Sequence, residues 1–188
     1  MIIAFIGDIG SGKTLSMVKF MLEKYNKGNN IYPNFGLKFP KNKSAKVTYL
    51  DMEFFRNYSK SGLNLLNSVI AIDECHVFFD SRNSMLKRNK IFSKFVTQSR
   101  KRSVDLVYTT QDKSPELFLR SGQVDLRLRK LTDYIIFCKP VKQGRNVFII
   151  NSFCDKYGLM VRQNVFFAND YFKYYDTNEI IDFDETSI

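Results

Sequence analysis

The chain has 188 residues, 44% apolar and 15% aromatic, with a formal charge of +10. That length supports one α/β domain with a full core, and the apolar share excludes an intrinsically disordered chain. Cys75, Cys138 and Cys154 are widely spaced with no CxxC pair, which excludes a disulfide framework or a zinc site and fits a reducing compartment.

Residues 1–6 are apolar throughout and predict a buried strand. Gly7, Asp8, Ile9, Gly10, Ser11, Gly12, Lys13 and Thr14 follow and fit G-x-x-x-x-G-K-[ST] at every fixed position. Residues 15–22 then read as a helix with Met17, Phe20 and Met21 on one face. Strand, glycine loop and helix are the context in which this motif wraps backbone N–H groups around a phosphate at the positive end of a helix. The ligand expected is ATP with Mg²⁺: Lys13 reaches the β- and γ-phosphates and the Thr14 hydroxyl ligates the metal.

Residues 26–30 form a turn by composition, and 30–35 a short strand placed at a sheet edge by Pro33. Four lysines and Pro40 make 38–46 a loop; 47–50 is a strand or a bridge, and Asp51 caps a short helix through 55 that residues 59–62 break. The next anchor is the apolar run at 68–72 ending in Asp73-Glu74, the pattern of a Walker B strand. Such a strand runs down the middle of the sheet and opens at the phosphate loop. Asp73 is expected to hold Mg²⁺ through its water shell, and Glu74 to orient and polarise the attacking water. His76 beside Cys75 supplies too few ligands for a metal site of its own.

From 81 to 104 there are eight Lys/Arg and no acid. Ile91, Phe92, Phe95 and Val96 within that stretch have the spacing of a helix packed on a sheet, leaving the basic residues outward. Residues 104–111 predict a second core strand, and if it lies parallel and adjacent to the Asp73 strand, Gln111 faces the γ-phosphate. A short helix at 115–120 follows; 124–129 and 134–139 alternate like strands, and 146–150 with 159–162 suit a terminal antiparallel pair. The tail, 166–188, holds six of the 19 acids and only Lys173 among the 29 basic residues, so what precedes it carries a formal +15. Its Phe and Tyr content predicts that it docks, on its own domain or on a neighbour.

Gly-Ser-Gly-Lys-Thr at 10–14, Ile-Asp-Glu at 72–74 and Tyr-Thr-Thr-Gln at 108–111, in that order, resemble the FtsK/HerA superfamily of P-loop ATPases. Within it, Asp-Glu-Cys-His-Val-Phe-Phe-Asp-Ser-Arg at 73–82 and the stretch 120–137 look like the zonular occludens toxin and filamentous-phage assembly branch and the small viral packaging ATPases. The resemblance spans about residues 1–140. It implies that Gln111 senses the γ-phosphate and that an arginine just before the Gln strand acts in trans on a neighbour's nucleotide. Arg100 matches that position best and Arg102 next. It also implies a homo-oligomeric ring. The zonular toxin and phage proteins carry a membrane segment and the cellular translocases carry additional domains; neither is seen here, which fits a minimal viral packaging motor.

The expected fold is therefore a three-layer α/β P-loop domain with a mainly parallel sheet, RecA- or FtsK/HerA-like, over residues 1–165, followed by the acidic aromatic tail. The basic balance favours a polyanion, and double-stranded DNA gripped by its phosphates is the expected partner, with capsid or membrane assembly proteins beside it. The expected function is an ATP-driven DNA packaging motor in host cytoplasm or virion. The alternatives are an assembly or export ATPase of the phage type that pumps no DNA, a nucleotide-binding regulatory protein, and a small-molecule kinase.

Overall fold

The structure, a computed structural model, describes residues 1–51, 54, 65–79, 92–97 and 103–176. Its frame is a seven-stranded sheet in the order β2-β3-β4-β1-β5-β6-β7. The strands are β1 Ile2–Ile6, β2 Asn30–Pro33, β3 Ser68–Ile72, β4 Asp105–Thr110, β5 Tyr134–Gln143, β6 Asn146–Asp155 and β7 Met160–Phe167. The five from β2 to β5 run parallel, and β6 and β7 are added antiparallel. Every residue of β1 and β3 is buried, as continuous apolar runs require when both sheet faces are covered.

Side-chain alternation divides each central strand between two cores. Ile2, Ala4 and Ile6 of β1 join Ile70, Ile72, Leu106 and Tyr108 on one face, against Phe79, Phe92, Phe95, Phe118 and Leu128. Ile3 and Phe5 join Val69, Ala71 and Val107 on the other, against Met17, Val18, Met21 and Tyr25 of helix α1 (Lys13–Asn26). The result is helix, sheet, helix, the layering that amphipathic elements need to bury both faces of a parallel sheet. All three cysteines are buried and free.

Residues 92–97 form the helix read from the Phe92, Phe95, Val96 spacing, and the Phe92 ring stacks on Phe79 at 3.5 Å. Most of the basic stretch around it, including Lys87, Arg88, Lys90, Arg100 and Arg102, lies outside the described residues. Asp51 accepts a 2.8 Å hydrogen bond from the Phe54 N–H, an N-cap geometry, while the predicted break at 59–62 also lies outside them. Residues 46–50 run beside the outer strand β2, exchanging Ile31 N–H to Lys46 O, Thr48 N–H to Ile31 O and Leu50 N–H to Pro33 O bonds, with Val47 forming an isolated bridge.

The expected strand at 124–129 is instead a helix. Short helices α2 (Cys75–Phe78), α3 (Pro115–Ser121) and α4 (Leu126–Leu131) follow the strand ends. The Asp125 side chain accepts from the Arg127 N–H at 2.8 Å and starts α4. Alternation of Val124, Leu126 and Leu128 mimics a strand, but the helix begins at Leu126, which is exposed, while Val124 ahead of it and Leu128 within it are buried. The buried Arg129 guanidinium decides the matter: it donates to the Val124, Phe118 and Leu119 carbonyls, satisfying the end of α3.

Beyond β7, two single 3-10 turns, Ala168–Asp170 and Phe172–Tyr174, fold back on the α1 face. Lys38 N–H donates to Tyr174 O at 2.8 Å, Leu37 bridges Tyr175, and Tyr171, Tyr174 and Tyr175 meet the rings of Phe166, Phe39 and Phe35. Residues 166–176 thus dock on their own domain, and 177–188 lie outside the described residues.

Because Met21 is fully buried between α1 and the sheet, Met21→Ala should destabilise the domain by about 2–5 kcal/mol in urea unfolding. Val165→Ala, at an exposed position of β7, should change stability by no more than ~0.5 kcal/mol.

Candidate nucleotide site

The loop between β1 and α1 has the backbone that its glycines permit. Gly7, Gly10 and Gly12 take φ values of 145°, 74° and 87°. A Cβ on Gly7 would stand 2.5 Å from Ser11 Oγ and 2.8 Å from the Cys138 carbonyl, so a larger residue there forces the loop apart. Lys13 is buried and bends back to donate from Nζ to the Asp8 carbonyl at 2.9 Å, closing the loop upon itself. Ser11 Oγ is buried without a hydrogen-bond partner, a state that a bound phosphate oxygen would relieve.

At the end of β3, Asp73 is the centre of a polar knot. Thr14 Oγ1 lies 3.0 Å from both of its oxygens, and Thr109 Oγ1 donates to one of them at 2.6 Å. Asn34 clamps the same residue through its backbone, accepting from the Asp73 N–H at 2.7 Å and donating to the Asp73 carbonyl at 3.1 Å. Burial pushes the Asp73 carboxyl up to about 6, with Glu74 adding to the rise and the Thr109 and Thr14 hydrogen bonds and Lys13 opposing it. Thr14 and Asp73 together offer hard oxygen donors of the kind that hold Mg²⁺ when phosphates and water complete its shell. No cluster of three or more His, Cys, Asp or Glu that could hold a metal ion occurs among the described residues.

Glu74 sits in the left-handed region at φ 49°, immediately before α2, with its N–H donating to Thr109 Oγ1 at 2.8 Å. The parallel pairing of β3 with β4 carries Gln111 to the neighbouring strand end, where its Nε2 donates to Glu74 Oε2 at 3.0 Å. His76 Nδ1 comes within 3.4 Å of that oxygen but makes no hydrogen bond. Phosphate loop, Asp73, Glu74 and Gln111 are therefore brought together, whereas Arg100 lies outside the described residues.

The cleft over the loop has a volume of ≈ 570 Å³, within the usual range for a small-molecule site. Its walls include parts that sequence reasoning did not connect with the loop. Pro140, Lys142, Val147 and Ile149 come from the β5–β6 hairpin, and Phe172, Tyr175 and Asp176 from the C-terminal turn. Ile149 presses on the loop so closely that a Cβ on Gly12 would meet its Cδ1 at 2.5 Å. The Tyr175 phenol, which lines the cleft, is pushed up to about 12 by burial, with the Asp73 charge contributing. Asn34 and Thr109 were also missed; a polar residue at the end of an apolar strand was the only signal for either.

The family model for zonular occludens toxin (Zot) matches residues 1–117, more than half the chain and all of the motif positions above. The chain belongs to the zonular occludens toxin family. Among solved structures, the N-terminal domain of zonular occludens toxin from Neisseria meningitidis superposes with a TM-score of 0.60 at 17% identity, covering 93% of this chain and 98% of that one. The DNA-packaging ATPase of Sulfolobus turreted icosahedral virus superposes at 0.55 with 17% identity, over 87% and 96% of the two chains. Flagellar accessory protein FlaH from Methanocaldococcus jannaschii does so at 0.55 with 13% identity, over 88% and 84%. At these identities the likeness shows a shared α/β P-loop fold. Nothing among curated proteins matches. In this Zot-family chain the hairpin and C-terminal turn that complete the cleft lie beyond the family match.

An acid whose folded pKa is raised stabilises the fold fully below its ordinary value of 3.8, and that contribution is lost as pH rises through about 6. Without nucleotide or magnesium, Asp73→Asn should therefore be more stable than the wild type at pH 8, by roughly 2–3 kcal/mol at most. The gap should narrow as pH falls from 6 toward 3.8 in urea unfolding. Magnesium-ATP should reverse the order at pH 8 by stabilising only the wild type.

Proposed function

We propose that this chain hydrolyses ATP and uses the energy, as a homo-oligomeric ring, to drive double-stranded DNA in genome packaging. The observation that carries the hydrolytic part is the Gln111 hydrogen bond to Glu74 at the mouth of a phosphate loop whose Thr14 already touches Asp73. Lys13 exchanges the Asp8 carbonyl for the β- and γ-phosphates, and the loop N–H groups and Ser11 Oγ take the remaining oxygens. Mg²⁺, held by Thr14 and by Asp73 through water, would draw charge from the phosphates. Glu74 orients and polarises the attacking water, and Gln111 holds the Glu74 carboxylate and moves it when the γ-phosphate leaves. Arg100 reaches the neighbour's nucleotide and balances the charge that develops there.

The polymer is argued from charge. The residues before 166 carry a formal +15, and backbone phosphates are the partner such a surface grips without reading bases. The likeness to a viral DNA-packaging ATPase supports that reading. Family membership favours a second: virion assembly or export of the phage type, with no DNA pumped. Residues 1–165 form the motor in either case, with 166–188 as its tail.

Lys13→Ala should lose ATP binding or turnover. Glu74→Gln and Arg100→Ala should each keep ATP affinity while turnover falls by roughly 10²- to 10³-fold. An equimolar mixture of the last two should regain part of the activity, since some interfaces then pair an intact arginine with an intact glutamate. Normal turnover by Glu74→Gln would overturn the catalytic assignment.

Duplex DNA should accelerate hydrolysis, and the acceleration should fall steeply between 50 and 200 mM salt, about as counterion release requires. Replacing Lys87, Arg88 and Lys90 by Ala should weaken DNA binding alike for every sequence and flatten the salt slope. An ATPase rate that ignores DNA at both salt concentrations selects the assembly reading.

A further inference from the structure

The C-terminal turn half-buries its rings with one exception. Tyr171, Tyr174 and Tyr175 each face another aromatic ring of the domain. Phe172 is 42% exposed, lies on the wall of the nucleotide cleft, and has no recorded ring partner among the described residues. A large aromatic left at the rim of a cleft, on a turn that otherwise packs every ring, is an apolar surface held ready for something flat. The phosphate loop lines the same cleft through Gly10, Gly12, Lys13 and Thr14. Its lining also includes the apolar Pro140 and Val147 and the charged Lys142 and Asp176.

A nucleotide calls for both kinds of lining in one cleft, because it carries charged phosphates and a planar π-surface joined by a hydroxyl-bearing ribose. We propose that the turn Phe172–Asp176 is the base-binding side of the cleft, with the Phe172 ring stacking on the purine of a nucleoside triphosphate. Pro140 and Val147 supply apolar contact for the base, and Lys142 and Asp176 border the ribose. A purine suits the site better than a pyrimidine because it offers the larger face to a single ring. The proposal rests on the reading of the cleft as an ATP site. It gives residues 166–176 a second role: besides docking on the domain, they complete a site whose catalytic residues lie about a hundred residues or more earlier in the chain for Lys13 and Asp73.

The chain has no tryptophan, so Phe172→Trp introduces a single reporter. With magnesium present, ATP should quench or shift its fluorescence, and tripolyphosphate, which has the phosphates but no base, should not. By calorimetry, Phe172→Ala should bind ATP roughly tenfold more weakly, the size of one base–aromatic stack, and bind tripolyphosphate with unchanged affinity. Silent fluorescence with ATP, together with wild-type ATP affinity in Phe172→Ala, overturns the base-side assignment while leaving the phosphate site standing. Failure of the wild type to bind either ligand overturns both. Since Phe172 is part-exposed on a turn held by its tyrosine neighbours, neither substitution removes a core contact.

Discussion

A buried carboxylate is the constraint on which this structure turns. Asp73 is held away from water after β3, and its hydrogen-bond partners among the described residues are hydroxyls and an amide. Those partners come from three different places: Thr14 lies in the first turn of α1, Thr109 lies in β4 and Asn34 follows β2, while Asp73 itself follows β3. Satisfying one carboxylate therefore fixes three neighbouring strand ends and one helix start relative to each other. Burial disfavours the ionised carboxyl there, and the Thr109 and Thr14 hydroxyl hydrogen bonds offset part of that cost.

The parallel sheet converts that local knot into a site. In a parallel sheet the strand ends line up on one edge, and the loops leaving them face a common space. The register that sets Ile72 opposite Tyr108 and Ile6 opposite Thr110 brings Glu74, Gln111 and Gly7 to that edge together. Glu74 is further set by its left-handed backbone and by the Thr109 hydroxyl bound to its N–H, and its carboxylate by the Gln111 amide. Preorganisation of this sort is what hydrolysis of a charged phosphate requires, since a side chain that must be ordered during the reaction adds to the barrier.

The other half of the cleft has a different origin. Strands β6 and β7 extend the sheet past β5 in antiparallel fashion, which folds Val147 and Ile149 over the phosphate loop and returns the chain to the α1 face. The closing turn then lies beside Phe35 and Phe39, and its aromatics pack on them, which explains why an acidic segment is also rich in Tyr and Phe. The acids are compatible with this because the packing is done by rings and backbone, with Lys38 N–H bonded to Tyr174 O.

By itself the sequence determined the elements whose signal is local. Six apolar residues, a glycine loop and an amphipathic helix can be read in order, because strand period, φ freedom and helix spacing act within a few residues. The same holds for the apolar run ending in Asp73-Glu74 and for the strand ending at Gln111. Tertiary structure decided what depends on partners far along the chain. The segment 124–129 became a helix because Arg129 finds the carbonyls at the end of α3, a contact that alternation of Val and Leu does not announce. Asn34 and Thr109 became part of the site because parallel pairing puts them against Asp73, 39 and 36 residues away. Phe172 and Tyr175 reached the cleft because two antiparallel strands carry the chain back across the sheet. Hydrogen bonds and ring contacts of that separation are set by the fold's topology, which no window along the chain contains.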